Sequence, residues 1–348
     1  TLLKDLKSSF NMTLIMITHD LAVISQCCDE VMLMKDGQLQ EIGSVNTLFS
    51  RPSHPYTKTL IDAVPKLNLT KNPPLSSADT ICYSTILSTK DVSVSYNTSI
   101  GFFSKQQAVH AVNSISFNVF EGEVLGIVGE SGCGKSTLAR SIMGLIPLSK
   151  GDILFQNQSI LDLSLSKDYK KHVQLIFQNP LASLNPRMTI GDIIAEPLLV
   201  FNPNLSRKER LNKVVQCLKD VGLDAPMINR YPHEFSGGQC QRISIARALI
   251  STPKLLICDE PVSALDVTIQ SQILDLLATL KQKYQLTILF ISHDLSVVQH
   301  ISDHVMVMHQ GHIIEYGDTH QIFTSPKHDY TKQLLDAVPV IKFSNMSF

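Results

Sequence analysis

The stretch GESGCGKST at 129–137 narrows what this chain can fold into more than any other segment. It follows an apolar run, Val124 to Val128, and leads into helix-forming sequence at Lys135. Residues 129–136 fit the spacing G-x-x-x-x-G-K-[ST]. Glycines at that spacing let backbone N–H groups turn inward toward phosphate oxygens, and the N-terminus of the next helix adds positive potential. Lys135 is then placed to reach the β- and γ-phosphates and Ser136 to ligate Mg2+. Cys133 reads as a spacer within the loop.

A strand–loop–helix of this kind belongs to an α/β sheet, and the wider pattern agrees. Apolar β-type runs occur at 112–119, 124–128, 173–177, 255–258 and 286–291, alternating with helix-type segments at 135–145, 207–221, 239–250 and 267–283. Short buried strands alternating with helices predict a mostly parallel sheet. Residues 188–250 carry helical periodicity and few strand signals, which predicts a helical insertion.

The chain also contains a duplicated piece. Residues 2–65 align with 276–339 at a constant offset of 274, and 28 of the 64 pairs are identical. HPYTKTLIDAVP at 54–65 meets HDYTKQLLDAVP at 328–339, and ITHDLAVI at 17–24 meets ISHDLSVV at 291–298. A repeat of this length means a duplicated domain rather than a solenoid. The phosphate loop occurs once, so 1–65 is expected to be the C-terminal remnant of a first domain whose front lies before Thr1. Residues 66–85, with a Pro-Pro pair and small polar residues, have the composition of a linker. The complete unit is expected over 86–340, with a tail at 341–348.

Composition removes several function classes. A formal net charge of −1 and a pI near 6.8 give no field that would draw in nucleic acid. No apolar stretch approaches the roughly 20 residues of a membrane-spanning helix, and LTILFI (286–291) and MTLIMI (12–17) are strand-sized. The seven cysteines make no C-x-x-C pair and suggest reduced thiols. Cys27 and Cys28 read as a helix face with one buried and one exposed thiol.

Two further motifs bear chemistry. LLICDEP at 255–261 is an apolar strand ending in two acids, at the edge where α/β sheets bind ligands. Asp259 can hold Mg2+ and Glu260 can polarise an attacking water; a helix-capping pair is the plainer alternative. FSGGQCQR at 235–242 sets Ser236 where it can cap a helix, and bare backbone at Gly237 and Gly238 leaves room for a second anion. A simple helix cap is again the alternative.

Together these motifs resemble the ATP-binding-cassette (ABC) ATPases, most closely those of bacterial importers for peptides, nickel and glutathione. The resemblance implies a P-loop NTPase with a mostly parallel sheet, an antiparallel β subdomain and a helical insertion. It implies that ATP is held by Gly129, Glu130, Ser131, Gly132, Cys133, Gly134, Lys135, Ser136 and Thr137 (the Walker A loop), with Tyr96 stacking on adenine. Mg2+ falls to Ser136, Gln178 and Asp259, and catalysis to Glu260, His293 and Gln178. Ser236, Gly237, Gly238 and Gln239 match the signature that contacts the ATP of an opposing cassette, and Ser263, Ala264, Leu265 and Asp266 match the D-loop. His19 would be the switch histidine of the first copy.

Where the family usually has Arg after the signature glutamine, Cys240 stands here, a lost helix-start charge expected to weaken the site modestly. The family's Cys-rich closing segment is absent from 66–85 and 340–348, so no iron–sulfur cluster is expected. The implied partners are integral-membrane permease subunits, a second ABC ATPase domain, and a periplasmic or lipid-anchored solute-binding protein reached through the permease; nucleic acid is not among them. The implied location is the cytoplasmic side of a bacterial inner membrane. Cassettes of this type work in head-to-tail pairs, so 1–348 alone is expected to bind ATP and hydrolyse it slowly. A non-transport cassette ATPase and an inactive remnant are the competing readings.

Overall fold

The all-apolar runs become central strands in the computed structural model, which describes residues 2–18, 21–63, 84–98, 107–163 and 166–338. The first copy forms α1 (Leu2–Phe10), α2 (Leu21–Cys27), a hairpin of β1 (Glu30–Lys35) and β2 (Gln38–Ser44), α3 (Val45–Ser50) and α4 (Pro55–Ala63). The complete unit begins with β3 (Thr85–Thr98), β4 (Gln107–Phe120), β5 (Val124–Val128), α5 (Lys135–Ile142), β6 (Lys150–Phe155) and β7 (Gln158–Ser159). Then follow α6 (Ile160–Leu163), α7 (Lys167–His172), β8 (Val173–Ile176), α8 (Pro180–Ser183), α9 (Ile190–Phe201), α10 (Arg207–Asp220) and α11 (Gly237–Leu249). It closes with β9 (Leu255–Asp259), α12 (Val267–Tyr284), β10 (Thr287–Ile291), α13 (Leu295–Ile301), β11 (His304–His309), β12 (His312–Asp318), α14 (Thr319–Thr324) and α15 (Asp329–Asp336).

Six strands line up as β12-β11-β5-β10-β9-β8, parallel except for β12, which turns back antiparallel on β11. Every residue of β5, β9 and β10 is buried, as expected of strands covered on both faces. The period-2 alternation of a strand then sorts their side chains into two cores. Leu125, Ile127, Leu255, Ile257, Leu289 and Ile291 meet α5 and the antiparallel sheet β4-β3-β6-β7. Val124, Val128, Leu256, Cys258, Ile288 and Phe290 face the opposite core, to which α9, α10, α11 and α12 contribute. The helical insertion is therefore present, with α10 opened by a reciprocal capping box between Ser206 and Glu209.

Some local expectations change. Thr85, placed in the linker by composition, is the first residue of β3 and pairs with Phe120. Residues 12–17 form no strand and, among the described residues, pair with no sheet neighbour, whereas their counterparts in β10 lie between β5 and β9. Cys27 and Cys28 are both half-buried rather than split between core and solvent. His19, residues 66–83 of the linker and the closing residues 340–348 lie outside the described residues.

Candidate nucleotide site

Strand register explains why residues far apart in sequence meet. Ile291 of β10 pairs with Ile127 of β5 and Asp259 of β9, and Ile176 of β8 pairs with Cys258. The residues just beyond these strands therefore emerge side by side along one carboxyl edge: Gly129, Glu260, His293 and Gln178. This is the edge at which open α/β sheets bind ligands.

The loop after β5 is seated tightly. Gly129 adopts φ +152°, and a Cβ there would lie 2.1 Å from the Met308 carbonyl oxygen, so any larger residue would push the loop off β11. Lys135, 4% exposed, donates from Nζ to the carbonyls of Gly129 (2.7 Å) and Glu130 (2.8 Å). Its Nζ also approaches Cys133 Sγ at 3.6 Å, so Cys133 is a packed neighbour of the ammonium rather than a spacer. Two carbonyls and the Cys133 sulfur surround this buried amine, and among the described residues no carboxylate is hydrogen-bonded to it. Such an ammonium suits an anion arriving in the cradle.

Ser136 Oγ donates to Asp259 Oδ1 at 2.8 Å. Burial pushes the Asp259 carboxyl upward, opposed mainly by that hydroxyl. Two hard oxygens beside the lysine, one of them a buried carboxylate, form a donor set that fits Mg2+ with phosphate oxygens completing its shell. The cradle and this donor set thus fit an ATP–metal complex.

Glu260 is held from both sides. Gln178 Nε2 donates to its Oε2 at 2.8 Å, and His293 Nδ1 lies 3.2 Å from the same oxygen. The Glu260 backbone is left-handed at φ +50°, fixed by its N–H on the Ile291 carbonyl. That conformation costs a non-glycine residue on the order of 1 kcal/mol, and such strain concentrates where a side chain must be aimed. Tyr96, on β3, meets the end of the 129–137 segment through its hydroxyl, 3.4 Å from Thr137 Oγ1.

The signature residues lie apart from this cluster. Among the described residues no hydrogen bond or ion pair joins 236–239 to Lys135, Asp259, Glu260 or His293. Ser236 Oγ accepts the Gln239 N–H (3.3 Å), and Gln239 Oε1 accepts the Ser236 N–H (3.0 Å), a capping box for α11. The bareness of Gly238 is explained by packing: a Cβ there would lie 2.5 Å from Ile269 Cγ2 on α12. That packing gives the glycine a reason of its own beside the expected anion contact, while at Gly237 a Cβ would meet only Leu265 Cδ2, at 3.7 Å. Cys240 is fully buried, with its thiol facing the Pro232 and Phe235 carbonyls, so position 240 is an interior site and not a vacated surface charge.

In the D-loop, Ser263 Oγ donates to the Glu260 carbonyl and Leu265 is buried, whereas Ala264 is exposed. Asp266 caps α12 through the Ile269 N–H. Two contacts to the cradle were missed by sequence reasoning. Tyr330 Oη accepts the Glu130 N–H at 3.3 Å, and the Gly311 N–H donates to the Cys133 carbonyl at 3.0 Å.

With this geometry in hand, likeness to known proteins becomes decisive. Residues 112–263 match the family described as "ABC transporter", and 40–81 and 314–346 each match the "Oligopeptide/dipeptide transporter, C-terminal region". The oligopeptide transport ATP-binding protein OppF of Haemophilus influenzae is 55% identical over 69% of this chain and 73% of its own length. The chain belongs to the ABC transporter ATPase family.

Within that family it is of the oligopeptide/glutathione import type. The glutathione import ATP-binding protein GsiA of Pectobacterium atrosepticum is 41% identical over 97% of this chain, which spans 58% of that protein. The structure of the ATP-binding cassette MJ0796, a dimer in a post-hydrolysis state bound to ADP and Pi, superposes with a TM-score of 0.60 at 28% identity. That match covers 67% of this chain and 98% of MJ0796. The ABC ATPase fold is thus present. Among the described residues no helix is long and apolar enough to cross a membrane.

Proposed function

We propose that this ABC ATPase energises uptake of peptides or related small solutes through integral-membrane permease subunits, on the cytoplasmic side of an inner membrane. A solute-binding protein would deliver cargo from the other side. The observation that carries this reading is the convergence of Lys135, Ser136–Asp259 and Gln178–Glu260–His293 on one sheet edge. Bound MgATP would supply the phosphoanhydride whose hydrolysis releases the free energy. Lys135 exchanges the loop carbonyls for phosphate oxygens, while Gly129 to Thr137 wrap the phosphates and Tyr96 stacks on the base. Ser136, Gln178 and Asp259 would hold Mg2+, which would neutralise charge on the phosphate oxygens. Glu260 accepts a proton from the attacking water, and Gln178 and His293 keep its carboxylate in place.

Ser236 to Gln239 and the D-loop, Ser263 to Asp266, act on the nucleotide of an opposing cassette. We assign 1–65 to the C-terminal remnant of a first cassette, 66–85 to a linker, 86–340 to the complete ATPase domain and 341–348 to a tail. The placement of the first copy supports head-to-tail pairing. Its α4 packs against α12, and Tyr56 has its phenol pushed up by burial and by the charge of Asp266 in the D-loop. Tyr56 is the repeat counterpart of Tyr330, which in the complete unit touches the Walker A loop.

The test is Glu260→Gln, which keeps the shape of the side chain and removes the proton acceptor. Turnover should fall by about a hundredfold or more, while ATP is retained in a paired species visible by light scattering. A variant that holds ATP no tighter and accumulates no pair would sink the reading.

A further inference from the structure

The C-terminal oligopeptide-type segment, 314–346, reaches back to the nucleotide cradle in a way that the family's ATP chemistry does not require. Its helix α15 is mounted rigidly. Glu315 on β12 accepts the N–H groups of Lys327 (2.8 Å) and His328 (3.1 Å), and His328 Nδ1 accepts the Tyr330 N–H (3.1 Å). Leu334 and Leu335 pack on the helical-side core. On this mount the Tyr330 ring lies against His309, the last residue of β11, with centroids 4.0 Å apart. Its hydroxyl takes the Glu130 N–H.

The N–H it holds is that of the second residue of the cradle, in the peptide whose carbonyl, that of Gly129, accepts from Lys135 Nζ. The Glu130 carbonyl is already engaged by Lys135 Nζ and by the Cys133 N–H (3.3 Å). Further along, the Gly311 N–H secures the Cys133 carbonyl, and Gly129 rests on Met308. When Lys135 turns to phosphate, the Gly129 and Glu130 carbonyls both lose it, and Tyr330 then remains as a side-chain tether on the Gly129–Glu130 peptide. A loop held in its binding shape before ligand arrives loses less conformational entropy on binding. The same mount recurs in the first copy, where Tyr56 N–H bonds His54 Nδ1 at 3.2 Å and Lys35, in the place of His309, lies 5.1 Å from the Tyr56 ring centre.

We propose that Tyr330 is a positioning residue for nucleotide, acting through Glu130 to preorganise the Walker A loop. This rests on reading 129–137 as the nucleotide cradle. Tyr330→Phe removes only the hydroxyl and leaves the ring on His309, so it isolates the tether. Titrating ADP and ATP into the full chain by calorimetry should show both dissociation constants rising about three- to tenfold, the worth of one neutral hydrogen bond. The melting temperature of the nucleotide-free protein should stay within a degree or so, the KM for ATP should rise by the same factor, and kcat should hold, because the loss is uniform binding.

Unchanged dissociation constants overturn the proposal. So does a weakened affinity that comes with a comparable loss of nucleotide-free stability, since that is a packing defect. Wild-type protein that binds no nucleotide would instead overturn the reading of the cradle itself, a separate failure.

Discussion

The two copies of the C-terminal piece set one local design in two environments. β1–β2 pairs Glu30 with Ser44 and Lys35 with Gln38; β11–β12 pairs His304 with Asp318 and His309 with His312. Both carry a register shift at the same place, Leu33/Met34 and Val307/Met308. Both turn through left-handed residues, Asp36-Gly37 and Gln310-Gly311. An ion pair recurs too, Lys7–Asp29 at 2.6 Å and Lys281–Asp303 at 2.8 Å. Yet Met32 and Met34 are 57% and 58% exposed, while Met306 and Met308 are fully buried. β11 lies on β5; among the described residues β1 pairs only with β2. Turn chemistry and polar clamps build the hairpin locally, and burial of its apolar face depends on a neighbour.

The largest expected difference between the copies is in packing. Met306→Ala should cost the complete unit about 2–5 kcal/mol, and Met32→Ala about 0.5 kcal/mol or less, as read from urea denaturation. Equal costs would break the comparison by showing that something covers the outer face of β1 in solution.

A smaller effect tests what the copies share. Glu41 accepts the N–H groups of Ser53 and His54, as Glu315 does those of Lys327 and His328. Hydrogen bonds from the Ser53 and Thr57 hydroxyls and the Ser53 N–H pull the Glu41 carboxyl down from 4.5 to about 2. A folded pKa below the unfolded one means that the clamp stabilises above about pH 4.5 and is lost as pH falls toward 2. Glu41→Gln should therefore lower amide-exchange protection at Ser53 and His54 near neutral pH, with mutant and wild type converging at the acid end. A difference independent of pH would assign the effect to shape.

The smallest effect concerns Lys281→Ala. Its pair with Asp303 is partly solvent-exposed, so the loss should stay below about 1 kcal/mol and shrink further in molar salt. A larger, salt-insensitive loss would show that Asp303, which also accepts the Val124 N–H at 2.8 Å, depends on the lysine to hold the start of β5.

Much of the site was legible because its parts are contiguous motifs. Gly129 to Thr137, Asp259-Glu260 and Ser236 to Gln239 each announce a local device, and the central strands showed as unbroken apolar runs. The contacts that escaped are those between segments. Tyr330 lies 200 positions from Glu130, and its one legible signal was its recurrence at Tyr56. The packing of Gly238 against Ile269 on α12 also escaped, because the two are distant in sequence.

By itself, then, the sequence determined the phosphate loop, the alternation of strand and helix, the duplication, and the hairpin turns, all set by near-neighbour sterics and hydrogen bonding. Tertiary structure alone decided that Gln178, Glu260 and His293 meet, and that Ile291 at the end of β10 is buried while its counterpart Ile17 is 98% exposed. A strand acquires partners, register and two covered faces only from chain that is remote in sequence.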